Sequence, residues 1–255
     1  MKHNRILFIF LFLFSVGLLA QDVQQQRVHS HNDYDQSVPF WNAYSSGAHS
    51  IEADVFLKDG VLYVTHDESE IIAERTLEQL YLKPLNEIYG ITRENQNAHE
   101  NQDLQILIDM KSEANTSLDA LVNLLLEFPE LIVNSQLRFV ISGNRPKPEQ
   151  YSSYPDFIWF DHQDLAPISD QAWDKVALIS MSFGKFSDWK GTGSIATSEL
   201  KEIERAIKIA HRYHKPFRFW GTPDSQLAWE TFSRIGVDFI NTDRPSECVK
   251  YVSNL

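Results

Sequence analysis

The chain has 255 residues, of which 43% are apolar, and a formal charge of −12 from 23 basic and 35 acidic side chains. That length and apolar share suit one large domain or two small ones with a core of ordinary size. The acidic balance disfavours nonspecific binding to nucleic acid, or docking on an anionic membrane through a general positive field. The single cysteine, Cys248, excludes an internal disulfide and a cysteine-based zinc site.

The chain opens with Lys2 and Arg5, followed by the almost wholly apolar run Ile6–Ala20. That run is short of the roughly twenty residues a spanning helix needs. A basic start, a short apolar centre and a small residue at Ala20 predict a secretory signal peptide over residues 1–20. The alternative is an uncleaved anchor helix, and Leu18 is larger than the ideal at its position before the cut. Cleavage would leave an exported domain, 21–255, periplasmic or secreted and monomeric, with no transmembrane segment. Losing Lys2 and Arg5, and no acid, takes the formal charge from −12 to −14.

From residue 27 onward, short β-like runs alternate with helix-like stretches. The expected strands are Arg27–His31, Ser50–Phe56, Leu104–Met110, Leu137–Ser142, Phe157–Asp161, Val176–Ser182, Pro216–Trp220 and Val237–Thr242. A further run, Val61–His66, follows the turn Lys58-Asp59-Gly60 and reads as a hairpin return from the second strand. The stretch Ile91–Gln102 is polar and reads as a loop. Amphipathic segments at Leu118–Phe128, Ser198–His214 and Ser225–Ile235 read as helices. Glu199, Glu202 and Glu204 open the second of these, and Arg212 and Lys215 close it, as the helix dipole prefers. Strands alternating with helices imply a parallel sheet, and eight such units fit a single-domain (β/α)8 TIM barrel of the α/β class. A doubly wound sheet usually carries a glycine-rich phosphate loop after its first strand. Here that strand ends in His-Ser-His-Asn-Asp.

In such a barrel the chemistry collects at the C-terminal ends of the strands. The first strand ends at His29 and His31, two apart and so on one face. Glu52 and Asp54 share a face of the second, while Ile51, Ala53 and Val55 share the other. The hairpin return ends in Thr65-His66-Asp67, and the third strand ends in Asp109-Met110-Lys111. Each group alone has an ordinary reading as a solvated edge, a turn or a surface ion pair. Together, on successive strand ends, they form a site. Carboxylates crowded on one strand repel unless one is protonated or a cation binds, and Mg2+ or Ca2+ takes oxygen ligands. Glu52, Asp54 and Asp109 are therefore the expected ligands of one divalent cation. The ion and Lys111 would offset phosphate charge. Two imidazoles, titrating near neutral pH, would serve as base and acid.

At these residues the chain resembles the PLC-like phosphodiesterase superfamily, which includes glycerophosphodiester phosphodiesterases, phosphatidylinositol-specific phospholipases C and spider-type sphingomyelinases D. The matching motifs are His31 (or His29) in "HSHNDY", Glu52 and Asp54 in "SIEADV", His66 in "VTHD" and Asp109 with Lys111 in "LIDMK". The stretch "GVDFINTDRP", Gly236–Pro245, is similar to the last barrel strand of the glycerophosphodiesterases. Two positions depart from those enzymes: Ser30 or Asn32 stands where arginine usually follows the first histidine, and Asp109 stands where glutamate is common. The resemblance implies a metal-dependent phosphoric diester hydrolase acting on a small phosphodiester or lipid headgroup, not on nucleic acid. Its alternatives are a phosphomonoesterase of the same fold or a non-catalytic barrel that binds a phosphorylated ligand. The spacing to Glu52 favours His31 as the catalytic histidine of the first strand, with His29 orienting a ligand or His31. Asn32, Arg145, Arg218, Trp220 and Asp243, at later strand ends or their rims, are the further candidates for substrate binding.

Overall fold

The computed structural model describes residues 26–90 and 103–255. The expected signal peptide and the expected loop at 91–102 lie outside the described residues. Nine strands are present: β1 (Arg27–Ser30), β2 (Ser50–Lys58), β3 (Val61–Val64), β4 (Leu104–Met110), β5 (Leu137–Gly143), β6 (Ile158–His162), β7 (Val176–Ser182), β8 (Phe217–Trp220) and β9 (Phe239–Thr242). All eight strands expected for a barrel exist, each within two residues of its expected bounds. They run parallel in the order β1-β9-β8-β7-β6-β5-β4-β2, and pairing of β1 with β2 closes the ring. The fold is a TIM barrel.

The ninth strand, β3, is the hairpin return and pairs antiparallel with the upper half of β2, Val55 opposite Val64 and Lys58 opposite Val61. The two turn residues, Asp59 and Gly60, have φ of 51° and 80°. An Asp-Gly pair with both φ positive is the I′ turn that matches strand twist. This hairpin carries His66 back to the barrel mouth.

The strand periodicity sorts side chains into two layers. Outward-facing Ile51, Ala53, Val55, Ile106, Ile108, Met110 and Ile141 pack with Leu118, Leu121 and Leu125. The latter three lie on helix Ala114–Leu125, whose N-cap Glu113 accepts from the Asn115 and Thr116 amides. On the other side, Ile179, Phe217, Phe219 and Ile240 pack with Ile203, Ile207 and Ala210 of helix Thr197–Arg212, and with Trp229 and Phe232 of helix Gln226–Arg234. Each such Val, Leu, Ile, Phe or Met side chain contributes about 1.5–3 kcal/mol by leaving water. Inside the barrel the lower layer is apolar, with Leu107, Val140, Leu178 and Phe239. Two stacked cations sit with this layer, Arg27 over Phe239 at 4.2 Å and Arg138 over Trp159 at 4.6 Å. Above that floor the interior is polar, and there the site begins. Among the described residues no helix is long and apolar enough to cross a membrane.

Candidate active site

Parallel pairing of β2 and β4 sets Asp54 directly opposite Asp109, one layer above the pair Glu52 and Leu107. Acceptor oxygens of Glu52, Asp54 and Asp109 come within 4.8 Å of one another. Three carboxylates this close repel unless a proton or a cation intervenes. Their second oxygens are already committed. Asp54 Oδ2 accepts from the Tyr34 hydroxyl at 2.9 Å and lies 2.7 Å from Nδ1 of His66 and 3.1 Å from Nζ of Lys111. Lys111 Nζ also lies 3.2 Å from Asp109 Oδ2. Oδ1 of Asp54 and Oδ1 of Asp109 are buried with no partner. A buried carboxylate oxygen without a donor is costly, and a hard divalent cation is the partner such oxygens suit. The residues therefore fit one cation held by Glu52, Asp54 and Asp109.

The electrostatics agree. Burial, reinforced by the Glu52 charge and only partly opposed by Lys111, pushes the Asp109 carboxyl up to about 7. Burial works against the charge on Glu52 as well. There the Arg218 guanidinium and the His29 hydrogen bond prevail and hold it below the usual carboxylate range. Gly143 makes room for the arrangement. It has φ of 65°, and a Cβ there would lie 1.8 Å from Asp109 Oδ1.

The two mouth histidines are built alike. His31 follows β1, where Asn32 turns the chain with φ of 46°. Its Nδ1 lies 2.7 Å from Asp243 Oδ1. Burial opposes its charge, but the Asp243 hydrogen bond and the nearby Glu52 outweigh burial and raise its pKa above the ordinary imidazole value. His66 is held through Nδ1 by Asp54. In both rings Nε2 is the nitrogen left for a ligand. Burial and Asp54 push the Tyr34 phenol up, so it stays a donor.

His31, His66, the three carboxylates, Asn32, Lys111, Arg218 and Trp220 line one cavity of about 500 Å³. Three expected members do not reach it. His29 is fully buried one layer below, with Nδ1 2.8 Å from Ser50 Oγ and Nε2 2.6 Å from Glu52 Oε2. Gln105 Nε2 donates to Ser50 Oγ, and Arg218 Nη1 reaches His29 Nε2 beside Glu52. Burial and the Arg218 charge push His29 down to about 3. It is a neutral support for Glu52. Arg145 turns away from the cavity, with Nε 3.2 Å from the Tyr151 hydroxyl and Nη1 donating to Gly143 O at 3.0 Å. Asp243 stands behind His31 instead of lining the cavity. Arg218 is 2% exposed and ties Glu52 (3.3 Å) to Asn241 (3.0 Å).

Tyr34, Gly143 and Gln163 join the site without having been expected there. Gln163 Nε2 donates to Ser142 Oγ, which donates to Asp161 Oδ2. The glycine at the end of β5 was the one available signal, because a strand end that needs positive φ marks a close approach.

A family model for an AIM6-like phosphodiesterase domain matches residues 18–131, the span that holds His31, Glu52, Asp54, His66, Asp109 and Lys111. The resemblance to the PLC-like phosphodiesterase superfamily is borne out. An "altered inheritance of mitochondria protein 6 homolog" from Arthroderma benhamiae is 28% identical over 258 aligned residues, covering 85% of this chain and 80% of the relative. The corresponding Kluyveromyces lactis protein is 28% identical over 304, covering 89% and 73%. Two solved structures share the TIM-barrel fold. A glycerophosphodiester phosphodiesterase from Parabacteroides distasonis has a TM-score of 0.56 at 16% identity, covering 91% of this chain and 98% of that one. One from Agrobacterium tumefaciens has a TM-score of 0.52 at 18% identity, covering 90% and 96%.

Proposed function

We propose that the protein is a divalent-cation-dependent phosphodiesterase that hydrolyses a small phosphodiester or a lipid-headgroup phosphodiester. The observation that carries this reading is the pair of orphan oxygens on Asp54 and Asp109, set in one cavity with two histidines that each keep Nε2 free. Glu52, Asp54 and Asp109 would hold the cation, Mg2+ or Ca2+, which supplies charge neutralisation and polarisation at the phosphoryl oxygens.

The chain's own residues do the rest. Lys111 lies between Asp54 and Asp109 and presents a second positive charge to the phosphate. Asn32 and Trp220 line the same cavity as His31 and limit how the diester sits. One imidazole takes the proton of the attacking oxygen as that oxygen bonds to phosphorus. The bond from phosphorus to the leaving oxygen breaks with its electron pair, and the other imidazole returns a proton to that oxygen. Asp243 and Asp54, on the two Nδ1 atoms, hold the rings and stabilise the imidazolium as it forms. Water as attacker gives a monoester and an alcohol, whereas an internal hydroxyl gives a cyclic phosphate. The basic start and apolar run of residues 1–20 support export of the domain.

Turnover of bis(p-nitrophenyl) phosphate with Mg2+ or Ca2+, abolished by EDTA and by His66→Ala, is the expected result. Equal activity after chelation, or in the His66 variant, refutes the mechanism.

A further inference from the structure

Beneath the cation position sits a buried arginine that the reaction does not use. Arg218 Nη1 lies 3.3 Å from Glu52 Oε2 and 3.0 Å from Asn241 Oδ1, and Nη2 lies 3.8 Å from Asp161 Oδ2. We propose that Arg218 is a positioning residue: it holds Glu52 to one free oxygen and thereby makes the site select Mg2+ over the larger Ca2+. The inference rests on the cation site of the phosphodiesterase reading, and adds which ion that site takes and which residue decides.

The free oxygens carry the argument. Lys111 lies on Oδ2 of Asp54 and on Oδ2 of Asp109, and Oδ1 of each is the oxygen without a partner. His29 Nε2 and Arg218 Nη1 both lie on Oε2 of Glu52, which leaves Oε1 to offer. Carboxylates that give one oxygen apiece suit Mg2+, which takes fewer ligands at shorter distance and keeps several waters. Ca2+ takes more oxygens, and gathers them in part by binding a carboxylate through both.

Glu52 is the ligand whose posture is built into the barrel. The groups that hold Asp54 and Asp109 stand at the mouth, where the Lys111 side chain is partly exposed and that of His66 is exposed. Those that hold Glu52 are buried. His29 Nδ1 is fixed by Ser50 Oγ at 2.8 Å, and Ser50 by Gln105. Arg218 is fixed by Asn241 and by Asp161, whose Oδ2 accepts from Ser142 Oγ at 2.9 Å and Ser180 Oγ at 2.6 Å. Every strand of the closed barrel contributes to this frame. The planar fork of a guanidinium can serve partners on several sides, whereas an ammonium is a point charge on a flexible stem.

Stability alone does not call for such a frame. Burying ions carries a desolvation penalty that their attraction often only offsets. The layer below fills the same interior with Leu107, Val140, Leu178 and Phe239. A charged frame directly under the ligands has its use in holding one of them still.

The test is calorimetric titration of the full chain with Mg2+ and with Ca2+, for the wild type, Arg218→Lys and Asn241→Ala. The wild type is expected to prefer Mg2+ by about tenfold or more, the scale on which groups around a ligand act. Arg218→Lys keeps the charge and loses the fork. Its Mg2+ affinity should fall about 10–100-fold while Ca2+ affinity holds or rises, so the preference narrows or inverts. Asn241→Ala loosens the guanidinium without removing it and should move the ratio the same way by a smaller factor, so the test stands even where the lysine variant fails to fold. A wild type that binds Ca2+ as tightly as Mg2+ overturns the role. So does an equal loss for both ions in the variants, the result a merely structural arginine would give. Binding of neither ion by the wild type overturns the cation site and the role with it. A Mg2+ preference that the variants lose, without turnover of bis(p-nitrophenyl) phosphate, overturns the phosphodiesterase reading and leaves the role of Arg218 standing.

Discussion

Asp54 Oδ2 lies 2.7 Å from Nδ1 of His66 while Oδ1 of the same carboxylate is buried without a partner. One side chain therefore links the cation position to an imidazole. Asp243 stands behind His31 in the same way, 2.7 Å away, but belongs to no cation position. The two aspartates should separate on mutation. Asp54→Asn should lose both cation affinity and turnover, about 10³-fold or more in kcat, because it removes a ligand and a histidine partner together. Asp243→Asn should keep cation affinity and lose about 10–100-fold in kcat. Its pH–rate profile should also move. The carboxylate holds the His31 pKa up, so removing its charge lowers that pKa and shifts the His31 limb to lower pH. Calorimetry with Mg2+ and kcat measured across pH check both.

Gly143→Ala tests the space left for Asp109. The added Cβ meets Asp109 Oδ1 on a backbone with φ of 65°. The expected outcome is a loss of about 10–100-fold in cation affinity, together with about 1–3 kcal/mol of stability from the strained backbone. Chemical denaturation and calorimetry measure the two losses separately.

His49 gives a pH prediction away from the cavity. Its Nδ1 faces the Val28 amide at 3.4 Å. Burial, then the charge of Arg27, pushes its pKa down to about 4, and His29 lies at about 3. Both are neutral when folded and titrate near 6.5 when unfolded. Below that value the unfolded chain takes up protons that the folded chain refuses. The stability they contribute is complete above about 6.5 and is lost as pH falls toward 4, by at most about 1.4 kcal/mol per pH unit for each histidine. His49→Gln should flatten the fall in Tm between pH 6.5 and 4.5. An unchanged slope would contradict the assignment.

Much of this site was legible because strand periodicity reports which face a residue takes. Glu52 and Asp54 against Ile51, Ala53 and Val55 is the pattern seen, polar to the interior and apolar to the helices. Periodicity does not report depth. His29 and His31 share a face, but two residues of strand amount to roughly 6–7 Å of rise. That distance separates a buried support of Glu52 from an imidazole at the mouth. Residues past the strand ends were harder to read. Arg145 follows Gly143, whose left-handed backbone redirects the chain, and its guanidinium goes to Tyr151 and Gly143 O. Asp243 was legible as a rim residue, but its contact with His31 spans 212 positions and depends on β9 lying beside β1.

The central claim is that Glu52, Asp54 and Asp109 grip one divalent cation together. Titrating Mg2+ or Ca2+ into the wild type and into Asp109→Asn by calorimetry tests it most directly. The account predicts one ion per chain in the wild type and affinity at least about tenfold weaker in the variant, the scale on which altering a ligand's surroundings already acts. No saturable binding in the wild type, or equal binding by the two proteins, would contradict it.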